Sequence, residues 1–361
     1  MRILRFSDRG PAVALLQLAL VRASFGPLVL DGIFGLRTQE ALRHFQLARG
    51  LTADGVAGRA THEALLPWYT GYLRHRVRAG ESFYSIARLY GARTEAVELA
   101  NSALDPGNIP VGALVTVPLP FPVVPTEIPW CSALAAYCVR GLCARYPFLS
   151  CASVGRSALG RPLWSLSLGA GENRVLYNAA HHANEWITTP LLLSFVEELA
   201  ESFAQGGTIF GQSAAELLDY ARLCLVPLVN PDGLDLVTGE LQRGEAYENA
   251  RAMAALTRRF DPALTLSFHT QGEVIYWRFG DYEIPGARDI AATFAAVSGY
   301  SLEETPYDSS FAGYRDWFIQ SFRRPGFTIE CGRGINPLPL ADFPEIRRRC
   351  LGILTLGALV T

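Results

Sequence analysis

Residues 175–186 read Val-Leu-Tyr-Asn-Ala-Ala-His-His-Ala-Asn-Glu-Trp, and their pattern is the most informative about the fold of the C-terminal part of the chain. Its first five residues predict a buried strand, and a helix-like segment follows them. His182 and Glu185 are three residues apart, so both side chains can reach one metal ion. Spacing alone leaves His181 as an alternative, because offsets of three and four residues both fit on one helix face.

Two later residues strengthen the prediction of a metal site. His269 follows the apolar run 263–268, and Glu330 lies within the run 327–331. Ligands collect at strand ends in parallel sheets, so we expect these side chains to lie near Glu185. A catalytic zinc ion usually has three protein ligands and one open position for water. Two imidazoles and one carboxylate meet that count, and Glu330 remains as a spare carboxylate.

Composition excludes several classes of protein. The chain has 361 residues, enough for two or three domains, and its 32 basic and 34 acidic residues nearly balance. This balance argues against a nucleic-acid partner. No apolar stretch reaches the ~20 residues of a membrane span. The seven cysteines are odd in number and lack Cys-x-x-Cys spacing, which predicts buried free thiols.

A short internal repeat marks the first domain, predicted over residues 1–68. Residues 31–38, Asp-Gly-Ile-Phe-Gly-Leu-Arg-Thr, return as residues 54–61, Asp-Gly-Val-Ala-Gly-Arg-Ala-Thr. Each Asp-Gly predicts a turn, each second glycine a positive φ, and each threonine a cap for the following helix. Residues 4–66 resemble the three-helix peptidoglycan-binding domain, which implies a small all-α fold.

The second domain is predicted over residues 72–119. Residues 75–87 read as a strand, a turn and a capped helix, followed by a helix at Thr94–Ala100 and a strand at Leu114–Pro118. This β-α-α-β unit resembles the LysM module, and the resemblance implies binding to glycan that contains N-acetylglucosamine. A proline-rich connector follows at 120–130 and is predicted to be stiff and extended.

The third domain is predicted over residues 131–361 as an α/β fold. Alternating strand-like and helix-like runs indicate a mixed, largely parallel sheet with helices on both faces. The strand-like runs are 174–179, 222–229, Leu264–His269 and 326–331, and the helix-like runs are Thr188–Ala204, 246–259, Ala287–Ser298 and 344–356.

Residues 124–361 resemble the zinc carboxypeptidase family. The matching elements are His-Ala-Asn-Glu-Trp at 182–186, Asn-Pro-Asp-Gly at 230–233, the distal His269, Asp-Trp at 316–317 and Glu330. The resemblance implies one Zn²⁺ per catalytic domain, held by His182, Glu185 and His269. It also implies that Glu330 is the catalytic base in metal-promoted attack of water on an amide.

The flanking residues resemble a bacterial branch of the family that cleaves γ-D-glutamyl to diamino acid bonds in wall peptides. They are 268–273 and 330–339. The diamino acid has a free carboxylate, so Arg333 and Arg315 are candidate substrate-binding residues, with a surface ion pair as the alternative for each. Tyr307 and Asn230 are further candidates, and packing is the alternative role of Tyr307. The expected partners are peptidoglycan glycan strands and stem peptides.

One departure from the family lies between the Asn-Pro-Asp-Gly turn and His269. Relatives have a Gly-Val-Asp-Leu-Asn element and basic residues there, whereas residues 239–247 lead almost directly into the next helix. Loss of an oxyanion donor typically costs roughly 10²- to 10³-fold in rate. Either the enzyme is weakened or altered, or the natural chain has more residues here. The alternatives are therefore a wall-binding protein that retains zinc, or a C-terminal metallocarboxypeptidase.

The start of the sequence lacks the uninterrupted apolar core of a secretory signal. We therefore expect a cytoplasmic protein, or one that reaches a spore or cell wall by a route that no signal encodes.

Overall fold

The computed structural model describes residues 2–241, 249–304 and 313–360. Contacts divide the chain into two units, Met1–Leu149 with Thr238–Glu240, and Ser150–Val237 with Leu241–Thr361. Helix 132–145, which the sequence-based division assigns to the third domain, belongs to the first unit in this division. No helix in the described part of the chain combines the length and apolar character that crossing a bilayer requires.

The first unit begins with three helices, continues with a β-α-α-β segment and ends in a further helix. The elements are α1 (Pro11–Arg22), α2 (Leu36–Ala48), α3 (Arg59–Thr70), β1 (Tyr72–Arg76), α4 (Phe83–Tyr90), α5 (Thr94–Ala100), β2 (Leu114–Pro118) and α6 (Ser132–Arg145).

Two buried glutamines give the internal repeat its structure. The Gln46 amide nitrogen donates to Asp54 Oδ1 (2.9 Å), Val56 O (3.0 Å) and Thr61 Oγ1 (3.2 Å), and the amide oxygen accepts from Gly55 N (2.9 Å). Gln17 makes the same four bonds to the first copy, with its own four distances between 2.9 and 3.2 Å. Each turn is thereby tied to the preceding helix.

Two details of the predicted repeat are wrong. The positive φ belongs to the glycine of each Asp-Gly pair, at 68° for Gly32 and 71° for Gly55, whereas the second glycine of each copy is extended. Thr38 and Thr61 lie inside α2 and α3 and do not cap them. Their hydroxyl oxygens instead accept hydrogen bonds from the amide nitrogens of Gln17 and Gln46. Sequence spacing alone does not reveal these contacts.

The β-α-α-β segment follows its predicted order. β1 and β2 pair antiparallel, with Tyr72 opposite Pro118. Ser82 caps α4 by accepting from Ser85 N, and its own N–H donates to Ser85 Oγ. The core is apolar and is formed by Val77, Phe83, Ile86, Ala87, Val97, Val115 and Val117.

The proline-rich connector packs against the rest of the first unit. Arg145 of α6 donates to the carbonyl oxygens of Gly71 (2.7 Å), Leu119 (2.8 Å) and Phe121 (2.8 Å). α6 approaches α3 closely at Gly141, where a Cβ would lie 2.1 Å from Thr70 O. The connector is therefore held in place by carbonyl contacts in addition to the stiffness of its prolines.

The second unit is built around one large sheet. Its elements are β3 (Ser150–Arg156), β4 (Pro162–Leu168), β5 (Asn173–Ala179), α7 (Thr188–Ala204), β6 (Thr208–Ile209), β7 (Gln212–Ser213), α8 (Ala214–Tyr220), β8 (Ala221–Val226), α9 (Pro231–Val237), α10 (Ala250–Phe260), β9 (Leu264–His269), β10 (Val274–Tyr276), α11 (Ala287–Ser298), β11 (Ser301–Glu303), α12 (Tyr314–Phe322), β12 (Gly326–Glu330) and α13 (Phe343–Leu356).

Within the described residues, the sheet has eight strands in the order β11-β10-β12-β9-β5-β8-β4-β3. The central strands β12, β9, β5 and β8 are parallel, and β10 and β4 pair antiparallel with the two ends of this group. Of the edge strands, β11 is parallel to β10 and β3 is antiparallel to β4. Tyr177 donates to Leu354 O of α13, whereas its neighbour Leu176 packs with Met253 and Leu256 of α10. Because adjacent side chains on a strand point to opposite faces, helices cover both sides, as predicted.

The predicted elements of this unit differ from the observed ones mainly at their ends. Strand β8 ends at Val226, three residues before the predicted end. Helix α10 spans Ala250–Phe260, and positions 246–248 of the predicted helix lie outside the described residues. No disulfide links the seven cysteines, all of which lie in the described part of the chain; five are buried, Cys143 is intermediate and Cys151 is exposed.

Candidate metal centre and catalytic site

Three neighbouring parallel strands bring the predicted site residues to one edge of the sheet. His269 is the last residue of β9, Glu330 is the last residue of β12, and His182 follows the end of β5. β9 lies between the other two strands. Parallel strands place their carboxyl ends at the same edge, which is why residues so distant in sequence meet here.

The segment that contains His182 and Glu185 is a turn, so the prediction that it opens a helix is wrong. Glu185 N donates to His182 O (3.2 Å), and α7 begins only at Thr188. The Thr188 hydroxyl donates to Glu185 O (2.7 Å) and accepts from Ala180 N (3.0 Å). Ala180 has a positive φ of 52°. These bonds fix the turn that aims both ligand side chains at His269.

The two imidazoles meet the Glu185 carboxylate from both sides. His182 Nδ1 is 2.9 Å from Glu185 Oε1, and His269 Nδ1 is 2.8 Å from Glu185 Oε2. Burial acts to raise the pKa of Glu185, but the hydrogen bonds from both histidines outweigh it and lower that pKa to about 2. The carboxylate is therefore ionised at neutral pH.

These three side chains fit a zinc ion. One potential ligand atom from each of His182, Glu185 and His269 lies within 4.8 Å of the others. Two imidazole nitrogens and one carboxylate oxygen are a donor set that zinc accepts in catalytic sites, at bond lengths of about 2.0–2.2 Å. In the described part of the chain, no other group of histidine, cysteine or acidic side chains meets the same distance requirement.

His181 has other partners, which favours His182 as the ligand where spacing left both open. Its Nε2 donates to Asn178 Oδ1 (2.7 Å), and its ring stacks on that of His269 with centroids 5.4 Å apart. Burial lowers the pKa of His181 to about 3, so the ring is neutral. His181 supports the face of the His269 ring and is separate from the metal-binding group. Only Asn178, three residues earlier, could have signalled this role in the sequence.

Glu330 is held beside the metal-binding group by backbone pairing. Its Cα is opposite that of His269 in the β12–β9 register, and the next residue donates from Cys331 N to His269 O (2.9 Å). Burial raises the pKa of Glu330 above its ordinary value. A carboxyl group with a raised pKa and no metal bond is suited to accept and return a proton near neutral pH.

The Asn-Pro-Asp-Gly segment, residues 230–233, follows β8 and supports the site through hydrogen bonds. Asn230 Nδ2 donates to His181 O (3.2 Å), and Asn230 Oδ1 accepts from Gly233 N (2.9 Å). Asp232 is buried and accepts from Ser157 Oγ (2.8 Å) and from Arg161 Nη1 (2.6 Å). Arg161 also pairs with Asp235 at 3.0 Å. Sequence analysis missed Arg161, because its partners are about 70 residues away.

The candidate substrate-binding residues have different surroundings. Arg333 is 78% exposed and pairs with Glu273 at 2.9 Å, which is the surface ion pair named above as its alternative. Arg315 is buried and donates through Nε to Asp316 Oδ1 (2.8 Å). It also lowers the pKa of Glu330, although less than His269 does. Tyr307 lies outside the described residues.

Comparison with known families identifies three segments. Residues 137–245 match the model described as zinc carboxypeptidase, residues 9–65 a putative peptidoglycan-binding domain, and residues 75–118 a LysM domain. The matches occur in the order that the sequence motifs predict.

The matches with two bacterial relatives extend over most of the length of each relative. A protein of Lysinibacillus sphaericus named gamma-D-glutamyl-L-diamino acid endopeptidase 1 is 36% identical over 277 residues, which cover 61% of this chain and 69% of that protein. The uncharacterized protein YqgT of Bacillus subtilis is 33% identical over 270 residues. The match covers 58% of this chain and 72% of YqgT.

Solved structures confirm the fold. Bovine thrombin-activatable fibrinolysis inhibitor, in complex with tick carboxypeptidase inhibitor, has a TM-score of 0.54 and 17% identity, covering 65% of this chain and 97% of its own. Carboxypeptidase A of Helicoverpa armigera has a TM-score of 0.52 and 16% identity, and the match covers 66% of this chain and 75% of that structure. At these identities the likeness concerns the fold alone.

Proposed function

The chain belongs to the zinc carboxypeptidase family, and we propose that it hydrolyses the bond between γ-D-glutamate and the diamino acid of peptidoglycan stem peptides. The observation that carries the proposal is the pairing of Glu330 with His269 beside the group of His182, Glu185 and His269. The activity named for the Lysinibacillus relative supports the choice of bond.

Zinc, when bound by His182, Glu185 and His269, supplies the Lewis-acid chemistry that makes water a nucleophile at neutral pH. Glu330 accepts the proton of the attacking water on a carboxylate oxygen. It then donates that proton to the nitrogen of the leaving diamino acid as the amide bond breaks. Burial raises the pKa of Glu330, which favours holding the proton between these two transfers.

Arg315 is our first candidate for binding a carboxylate of the leaving diamino acid. Its guanidinium is buried and held by Asp316, and its charge acts to lower the pKa of Glu330. Arg333 is a second candidate at the surface. Asn230 contacts the backbone of His181, so we assign it a positioning role. The role of Tyr307 remains a prediction.

The N-terminal modules belong to families that bind peptidoglycan, and we propose that they hold the protein on glycan strands. Binding by two linked modules raises the effective concentration of stem peptides at the catalytic domain. We therefore expect faster cleavage of peptides that are still attached to glycan than of free peptides at equal concentration.

Product mass spectrometry on L-Ala-γ-D-Glu-meso-diaminopimelate-D-Ala tests the proposed bond. The proposal predicts L-Ala-γ-D-Glu and a dipeptide that contains diaminopimelate, with both products lost after chelation and restored by Zn²⁺. Release of D-Ala alone would identify a C-terminal carboxypeptidase instead.

A second candidate function is wall binding by a zinc-containing protein with little turnover. The short connection between α9 and α10, residues 238–249, motivates it, because the family element with basic residues is absent there. Full zinc content and intact binding of wall peptides, without any product, would favour this candidate.

A further inference from the structure

A cavity of about 430 Å³ opens beside the metal-binding group, lined by α10, the first turn of α12 and His181. The stacking of His181 on His269 separates the cavity from the metal ligands by one aromatic ring. Arg315, our candidate for the leaving side, immediately follows the cavity residue Tyr314. Among the family elements named above, Trp317 of the Asp-Trp pair lines this cavity.

Two arginines give the cavity a positive wall. Arg251 and Arg258 both line it and are seven residues apart on α10, which is two helical turns or about 10 Å along the axis. Both are exposed, and neither forms an ion pair with a carboxylate within residues 2–241, 249–304 and 313–360. The Arg258 guanidinium lies over the Trp317 ring at 5.3 Å, which holds its charge at the cavity.

The rest of the cavity wall is apolar and well anchored. Trp317, Tyr314 and Met253 line it. The Tyr314 hydroxyl is bonded to Thr257 Oγ1 (2.7 Å), and the Tyr314 and Trp317 rings pack with centroids 5.8 Å apart. The cavity therefore suits a ligand that has a short apolar chain and a carboxylate at one end.

The acyl side of the proposed substrate has that chemistry. A D-glutamyl residue linked through its γ-carbonyl retains a free α-carboxylate, separated from the scissile carbonyl by the α-carbon and two methylene groups. A residue linked in the ordinary way through its α-carbonyl has no carboxylate at this position. A cavity that has two arginines in its wall and reaches the metal-binding group through His181 could thus recognise the γ-linkage itself.

We propose that Arg251 and Arg258 bind the free α-carboxylate of the γ-D-glutamyl residue, and that this contact selects γ-linked substrates. The inference rests on the proposed function, because it assumes that the scissile bond lies beside His269. It also identifies two basic residues that stand on α10, after the connection between α9 and α10.

The test compares two peptides, L-Ala-γ-D-Glu-meso-diaminopimelate and the same peptide with the glutamyl α-carboxylate converted to an amide. Binding is measured by calorimetry on the full, zinc-loaded chain carrying Glu330→Gln, and kcat/KM is measured on the chain with Glu330 intact. The Arg251→Gln/Arg258→Gln double variant is compared with Arg259→Gln, an exposed arginine on the same helix that does not line the cavity.

The unaltered arginines should favour the carboxylate peptide by about 10- to 100-fold in Kd, as expected for a charge-assisted contact. The double variant should bind both peptides within about twofold of each other, with the amide peptide little affected, and Arg259→Gln should retain the full preference. Equal binding of the two peptides by the chain with both arginines, or a full preference in the double variant, would overturn the inference.

The two readouts separate this inference from the proposed reaction. If neither peptide is cleaved but the carboxylate form binds with a preference that the double variant loses, the anion site stands and the proposed reaction fails. If both peptides are cleaved and bound equally well, the reaction stands and the anion site fails.

Discussion

Glu330 and His269 end two neighbouring parallel strands and lie directly opposite each other in the pairing of β12 with β9. The candidate base and a candidate zinc ligand are therefore positioned by the same backbone register. A shift of one residue in β12 would turn Glu330 to the other face of the sheet. The proximity of base and metal is thus a property of the sheet and does not depend on a flexible loop.

We predict that His182→Gln weakens zinc binding by more than about 100-fold, since even residues that only support a ligand are worth 10- to 100-fold. His181→Gln should still bind one zinc ion per chain, with an affinity lower by at most about 10- to 100-fold, because His181 supports His269 by stacking and is bonded to Asn178 and not to Glu185. Metal analysis after dialysis against a weak chelator checks both variants. Retention of zinc by His182→Gln together with its loss from His181→Gln would reverse our assignment.

Arg161→Ala should destabilise the catalytic unit by about 3–5 kcal/mol, because it leaves the carboxylates of Asp232 and Asp235 buried without their cation. Denaturant unfolding measures the change. Arg156→Ala is the matched control, since Arg156 is exposed and at the end of the same hairpin. If Arg161→Ala lowers the free energy of unfolding no more than the control does, the ion pairs of Arg161 are unimportant for stability.

Gln46→Ala should destabilise the first unit by roughly 2–4 kcal/mol, because it removes four hydrogen bonds and leaves the second Asp-Gly turn without its anchor. The exposed Glu40 on the same helix provides the control variant, Glu40→Ala. Hydrogen exchange at the amides of Gly55 and Val56 should accelerate in Gln46→Ala only. Cleavage of a free peptide should be unchanged.

The first unit should also lose stability in mild acid through His62. This side chain is buried against Tyr69, and burial lowers its pKa. An unfolded histidine titrates near 6.5, so the stabilising contribution is complete above about pH 6.5 and is lost as the pH falls below it. Thermal unfolding from pH 7.5 to 5 should show a smaller decline for His62→Gln than for the unaltered chain. Identical slopes would exclude His62 as a source of acid sensitivity.

The sequence predicted most of the fold because its signals were local. The helices Thr188–Ala204 and Ala287–Ser298 and the strand Leu264–His269 have the predicted bounds, since apolar periodicity and flanking turns define them. The turn at His182 was missed because helical spacing of His and Glu also occurs in a tight turn that is stabilised by Thr188. That turn depends on contacts that no periodicity encodes.

The candidate site was predictable only where a motif carried it. His182, Glu185 and His269 could be named from their motifs, and the structure brings them together. The stacking of His181 on His269, the contacts of Asn230 and Arg161, and the cavity beside α10 join residues that are far apart in sequence and follow no repeated spacing. Such contacts appear only once the sheet order is known.

The most direct test of the account is cleavage of L-Ala-γ-D-Glu-meso-diaminopimelate by zinc-loaded protein with and without Glu330→Gln. We predict that the glutamine variant retains one zinc ion per chain and binds the peptide, while kcat falls by about 10²- to 10⁴-fold because general-base catalysis is lost. Unchanged kcat in Glu330→Gln with bound zinc would contradict the assignment of Glu330 as the group that accepts and returns the proton.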